Sequence, residues 1–159
     1  MAMGPLKRLR KELQALERAP DADIDLQPQQ NDIRRWQAVI RGPGETPFEG
    51  GTFQLLIEVG PEYPLRPPLI RFITRVFHPN IHFETGEICL DILKKEWSPA
   101  WSLQAACRAV MALLAAPDAD SPLNCDAGNM VRAGDMRAFN SLAKMYTAEY
   151  ASVDLSLSS

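Results

Sequence analysis

Long apolar runs are missing from this sequence. No stretch approaches the roughly 20 residues of a membrane-spanning helix, so direct membrane insertion is not expected. Charge of one sign is scarce as well. A formal net charge of −3 is too small to make nucleic acid the expected partner. A signal peptide is not expected either, because Lys7, Arg8, Arg10 and Lys11 interrupt any hydrophobic segment near the start. The final Leu-Ser-Ser is not a peroxisomal lumen address, so cytosol or nucleus is the default compartment. Cysteine is limited to Cys89, Cys107 and Cys125, an odd number spaced 18 apart. That excludes both a disulfide framework and a Cys-x-x-Cys pair. It suits a reducing compartment, in which a free thiol can act as a nucleophile. Internal repeats, linkers and low-complexity tracts are absent too.

What is present suits one domain. The 159 residues are 46% apolar and 23% charged, an ordinary globular composition. A chain of this length buries roughly 68–70% of its unfolded surface, enough for a core without staples. A single domain over 1–159 is expected, with an ordered core of approximately 4–151.

Leu6, Leu9, Leu13 and Leu16 recur at helical spacing and predict a first helix from Pro5 to Arg18. The basic cluster on its other faces is either a solvated surface or a dock for an acidic partner. Pro20 stops the helix, and from Ile24 to Ile73 the period changes to two. Trp36, Ala38 and Ile40 alternate with Gln37, Val39 and Arg41; Phe53, Leu55, Ile57 and Val59 alternate with Gln54, Leu56 and Glu58. With turn signals at Gly42-Pro43-Gly44 and Gly50-Gly51, and short strands near Ile24 and Ile70, this predicts a four-stranded antiparallel meander. Val39 and Leu56 fall on its outward face, where polar residues are expected. Scattered surface hydrophobes explain them blandly; an exposed patch for a partner is the sharper explanation.

Six prolines, Pro61, Pro64, Pro67, Pro68, Pro79 and Pro99, crowd residues 61–101. That density predicts neither regular helix nor central strand but a long ordered loop, usually a functional feature. Beyond it, Ser102 can cap a helix carrying Leu103, Ala106, Cys107, Val110, Leu113 and Leu114, which Pro117 ends. A short helix at about Asp126–Arg132 follows. Asp135 caps a last helix with Phe139, Leu142, Tyr146 and Tyr150 on one face. The order is that of an α+β fold.

The irregular segment holds the chemistry: Phe77-His78-Pro79-Asn80-Ile81-His82-Phe83-Glu84-Thr85-Gly86-Glu87-Ile88-Cys89-Leu90-Asp91. A zinc site on His78, His82 and Cys89 lacks a fourth ligand at a usual spacing. A Cys–His nucleophile pair lacks a properly placed His, since the two histidines both lie close in sequence to Cys89. A buried structural thiol is the default for a lone cysteine, and Cys107 on its apolar stripe and Cys125 both take it. Cys89, after Gly86-Glu87 in a turn-rich stretch, is expected to be open to solvent and reactive.

His78-Pro79-Asn80, followed nine residues after the asparagine by Cys89 in Gly-Glu-Ile-Cys-Leu-Asp-Ile-Leu, resembles the catalytic signature of ubiquitin-conjugating enzymes. The likeness covers nearly the whole chain. Leu-Lys-Arg-Leu-Arg-Lys-Glu-Leu is similar to the family's first helix. Trp36-Gln37-Ala38, Gly42-Pro43, Pro47-Phe48-Glu49-Gly50-Gly51, Tyr63-Pro64-Leu65-Arg66-Pro67-Pro68 and Trp97-Ser98-Pro99-Ala100 follow in family order. The Asn80–Cys89 gap is one residue longer than in the shortest members.

The resemblance implies that Cys89 takes ubiquitin as a thioester from an activating enzyme and passes it to an amine. No cofactor is bound; ATP is consumed upstream by the activating enzyme. Asn80 is expected to stabilise the oxyanion or to hold the active loop, and Asp91 to orient an incoming lysine. His78 is expected to bond backbone, and Pro79 to fix the turn. Many members carry Asp where this chain has Ser121, which leaves lysine deprotonation less clearly assigned. Asp120 beside it either supplies the charge or caps a turn. Lys7, Arg8 and Lys11 match a helix face shared by the activating enzyme and ligases of the RING type. Leu65, Ser98, Pro99 and Ala100 match two ligase-contacting loops.

Within the family, Pro99-Ala100-Trp101-Ser102-Leu103 and the stretch from Asp120 to Met136 resemble the peroxisomal branch of fungi. That implies import receptors as targets, a membrane-anchored tether, and a place at the cytosolic face of the peroxisome. The outward pair Val39 and Leu56 is the expected tether patch. Two rivals stand beside this reading. One is an enzyme of the same fold serving another pathway or ubiquitin-like modifier. The other is a silent ubiquitin-binding adaptor, a class that lacks the cysteine.

Overall fold

The computed structural model describes residues 4–152, apart from the side chains of Leu90 and Ile92. The expected 1–159 domain runs past both ends, and the Leu-Ser-Ser terminus lies outside the described residues. Helix α1 spans Pro5–Arg18, as its leucine spacing predicts, with Pro5 in the first turn, where a missing N–H costs nothing. Leu9 is fully buried, Leu13 and Leu16 pack partly against the core, and Leu6 is exposed.

Strands β1 (Ile24–Gln29), β2 (Asp32–Arg41), β3 (Thr52–Glu58) and β4 (Leu69–Phe72) form one antiparallel meander in the order β1-β2-β3-β4. Its register pairs Trp36 with Ile57, Ala38 with Leu55 and Ile40 with Phe53. All six are buried on the inner face, where α1 and α3 (Leu103–Ala115) pack. Ser102 caps α3 by accepting from the Ala105 amide, and α3 contributes Leu103, Ala106, Cys107 and Val110 to the core. Helix α4 (Cys125–Arg132) is capped by Asn124, and α5 (Met136–Tyr150) by Asp135. The end of α5 is fastened to the sheet, because the Thr52 amide donates to the Ala151 carbonyl at 2.9 Å. Among the described residues, no helix is long and apolar enough to cross a membrane.

Two expectations fail here. Residues 61–101 contain a regular helix, α2 (Leu90–Glu96). The prolines cluster at 61–79 and return only at Pro99, so the interval between them keeps all its amide donors. Val39 and Leu56 do lie on the outer sheet face, yet they are only 5% and 8% exposed. Val39 sits between Asp25 and Gln54, and Leu56 between Gln37 and Arg71, whose longer side chains flank them. On β4, Leu69 is the residue of that alternation that is exposed, at 60%.

Candidate active site

The segment from Phe77 to Cys89 is bound on four sides. Toward the sheet, the Phe72 amide donates to the Gly86 carbonyl at 2.8 Å, and the Arg71 and Glu87 backbones pair as an isolated antiparallel β-bridge. Within the loop, the Gly86 amide donates to the His82 carbonyl at 2.9 Å, and the His82 amide to the Glu87 carbonyl at 2.8 Å. Gly86 has φ +77°, and an added Cβ would stand 1.8 Å from the Phe72 carbonyl oxygen, so only glycine fits. His82 Nδ1 accepts from the Glu84 and Thr85 amides.

Toward α3, the fully buried His78 donates through Nε2 to the Leu113 carbonyl at 2.8 Å, and its Nδ1 accepts from the Asn80 amide at 3.0 Å. These partners fix the neutral tautomer. Burial drives the His78 pKa down to about 4, outweighing the Leu113 hydrogen bond, which acts to raise it. Both ring nitrogens are engaged with backbone, so His78 is not available as a zinc ligand. Among the described residues, no three His, Cys, Asp or Glu side chains are grouped to hold a metal.

Toward the segment before α4, Asn80 is the clasp. Its Nδ2 donates to the carbonyls of Asp118 at 2.6 Å and Ser121 at 3.3 Å, and its Oδ1 accepts from the Asp118 amide at 2.8 Å. The Pro79 carbonyl accepts from the Leu123 and Asn124 amides. The Asn80 carbonyl accepts from the Cys89 amide at 2.9 Å. One tripeptide therefore ties Cys89 to the loop carrying Asp120 and Ser121, both exposed. Asp118, rather than Asp120, caps that turn: its Oδ1 accepts from the Asp120 amide. Asp91 is exposed in the first turn of α2.

Cys89 stands at the N-cap position of α2 and is only 8% exposed, against the expectation of an open thiol. Its amide is tied to the Asn80 carbonyl and the chain turns directly into a helix, so the turn-rich stretch is a fixed segment rather than an open loop. Cys107 is fully buried and its pKa is pushed up to about 12 by burial, with Asp21 adding to the shift, so it is unsuited to attack. Cys125 is exposed, against the structural default expected for it, because it lies on the solvent side of the first turn of α4.

A further contact set was missed in the sequence. Phe77 stacks on Tyr146 at 5.6 Å between centroids, Phe83 lies 5.0 Å from Tyr146, and Arg75 sits 5.6 Å over both Phe83 and Tyr150. This aromatic seam pins the loop to α5. Its signal was an apolar Phe83 in an otherwise polar stretch.

The remaining candidates lie on α1 and on the loops of Leu65 and of Ser98–Ala100. Lys7 and Lys11 are exposed on α1, Leu65 is 70% exposed, and Pro99 and Ala100 are exposed with Ser98 partly so. The Trp97 indole N–H donates to the Pro64 carbonyl at 2.9 Å, which holds the loops of Leu65 and of Ser98–Ala100 together. Arg8 is half-buried, and its guanidinium is engaged internally with Glu12 and the Trp101 carbonyl.

The family model described as "Ubiquitin-conjugating enzyme" matches residues 8–147. "Protein PEROXIN-4" of Arabidopsis thaliana is 60% identical over 137 residues, covering 86% of this chain and 87% of that protein. "Ubiquitin-conjugating enzyme E2 pex4" of Dictyostelium discoideum is 55% identical over 144 residues, covering 90% of this chain and 97% of that protein. Among solved structures, the H. polymorpha ubiquitin-conjugating enzyme Pex4p, crystallised in complex with the soluble domain of Pex22p, superimposes with a TM-score of 0.87. It is 38% identical, covering 93% of this chain and 98% of that one. With the family model spanning nearly all of α1 through α5 and the same fold in the solved relative, this chain belongs to the ubiquitin-conjugating enzyme family.

Proposed function

We propose that Cys89 carries ubiquitin as a thioester between an activating enzyme and a target protein. The observation behind this is the clasp. Asn80 holds Cys89 by its backbone and the Asp118–Ser121 loop by its side chain, so one cysteine of three is tied to that loop through a single residue. In the first step the Cys89 thiolate attacks the ubiquitin thioester carbonyl on the activating enzyme. A C–S bond forms to Cys89, and the activating enzyme's cysteine leaves as a thiolate, a nearly isoenergetic exchange. In the second step an amine attacks that carbonyl, a C–N bond forms, the C–S bond to Cys89 breaks, and the amine's proton passes to the departing Cys89 thiolate directly or through water. Asp91, two residues after Cys89 in the first turn of α2, and Asp120, on the loop that Asn80 holds, are exposed carboxylates of the charge that suits an ammonium group. Asn80 acts as a positioning residue, since both hydrogens of its amide are engaged with the loop. The test is incubation with ATP, ubiquitin and its activating enzyme. A reductant-sensitive adduct on the wild type that disappears in Cys89→Ala supports the proposal; an adduct that persists on Cys89→Ala refutes it.

The pathway reading is peroxisomal: import receptors as targets, with a ligase, and a membrane-anchored tether that places the enzyme at the cytosolic face. Support comes from the relatives named peroxin-4 and pex4, and from the solved relative bound to a Pex22p domain. Titration of a soluble Pex22-type domain against this protein tests it. Saturable binding is expected, and no binding at high micromolar concentration contradicts it.

A further inference from the structure

The buried face of α1 carries a charged residue that the leucine stripe does not predict. Glu12 is 8% exposed and lies among Leu9, Leu13 and Leu16. Its carboxyl group accepts three hydrogen bonds from three different parts of the chain: the Tyr63 hydroxyl at 2.5 Å, the Leu103 amide at 2.6 Å and Arg8 Nε at 3.2 Å. Arg8 continues the chain by donating to the Trp101 carbonyl at 2.8 Å. Tyr63 is buried, its ring lies 5.8 Å from Trp97, and Trp97 in turn holds Pro64. Burial, with the Glu12 carboxyl adding to it, raises the Tyr63 pKa and keeps the phenol a donor.

Each of these partners leads to one piece of the proposed docking surface. Arg8 lies on α1 between Lys7 and Lys11. Tyr63 stands two residues before Leu65. Leu103 and Trp101 flank the loop of Ser98–Ala100 on its C-terminal side. These three pieces are remote in sequence and meet at a single carboxyl group.

Resting on the reading that this surface receives the activating enzyme and the ligase, we propose that Glu12 is its positioning residue. It sets the geometry of α1, the Leu65 turn and the 98–100 loop without touching either partner. A buried carboxyl satisfied by three donors is costly to break, because each donor then loses its acceptor away from water. The three pieces thus shift together or not at all.

The experiment separates docking from chemistry. In Glu12→Ala, the KM for the wild-type activating enzyme in ubiquitin charging should rise about tenfold, the scale of losing a charge-assisted hydrogen bond. The kcat of charging should hold, as should discharge of the pre-charged protein to free lysine without a ligase. Tyr63→Phe removes only one hydroxyl and guards against a Glu12→Ala that fails to fold; its KM should rise about threefold. Glu12→Gln retains an acceptor for Leu103 and should fall between wild type and Glu12→Ala. Unchanged KM in the folded variants overturns the proposal. So does a fall in lysine discharge that parallels the rise in KM, since that marks a general scaffold residue. A wild-type protein that is never charged refutes instead the function on which the proposal rests.

Discussion

His78 shows how one residue couples the site to solution conditions. Its pKa of about 4 lies below the ordinary 6.5 because burial opposes its charged form. Between these values the unfolded chain binds a proton that the folded chain does not, so stability falls as pH drops from 6.5 toward 4. The full effect is about 3 kcal/mol, and none of it is felt above the unfolded value. Replacing His78 by Gln should lower stability at pH 7 and flatten the slope between pH 6.5 and 4. Denaturant titrations of both proteins at several pH values measure this, and equal slopes would exclude His78 as the titrating group. Asn80 is the second residue-scale case. Its amide fixes the Asp118–Ser121 loop, so Asn80→Ala should leave charging nearly intact and slow discharge to lysine by about 10²-fold, the scale of misplacing groups around the reacting centre. Equal single-turnover discharge rates would remove Asn80 from the mechanism. Both residues were legible through the His78-Pro79-Asn80 signature. Glu12 was not, since a carboxyl on a leucine stripe reads as polar filler until its distant donors are known.

At the scale of elements, patterning was informative wherever a periodic face met the core. The alternation of Trp36, Ala38 and Ile40 against Phe53, Leu55 and Ile57 specified the sheet, and the caps at Ser102 and Asp135 began their helices at the expected residues. Helix α2 is not legible from proline density, because its proline-free interval follows directly on a proline-rich flank. The aromatic seam escaped because it joins a loop to a helix more than 60 residues away. The loop's attachment to β4 turns on Gly86, which has a natural control. Gly134 shares φ +77°, but a Cβ there would meet nothing within 4 Å. Gly134→Ala should therefore cost about 1 kcal/mol from backbone conformation alone. Gly86→Ala should cost clearly more, because it must push the Phe72 carbonyl away, and it should also slow charging through Cys89. Chemical denaturation of the two variants compares them, and equal costs would mean that the loop yields freely from β4.

At the scale of the molecule, two separate regions carry the candidate functional residues. One surrounds Cys89; the other joins α1 to the loops of Leu65 and of Ser98–Ala100. The outer-face pair Val39 and Leu56 belongs to neither, because period-two reasoning gives the face of a residue but not how far its neighbours' side chains cover it. Leu65 offers the cleanest test of the second region. Being 70% exposed, it should accept Asp with a stability change within about 0.5 kcal/mol. Ligase-stimulated discharge should nevertheless fall, and an unchanged ligase response would place the docking surface elsewhere. The proposed function rests on the thioester at Cys89. The most direct measurement is non-reducing intact-mass analysis after charging a Cys107→Ala, Cys125→Ala double variant, which retains Cys89 alone. The predicted result is a single added ubiquitin that reductant removes. Absence of the adduct in this folded variant, with charging restored when Cys107 or Cys125 is returned, would contradict it.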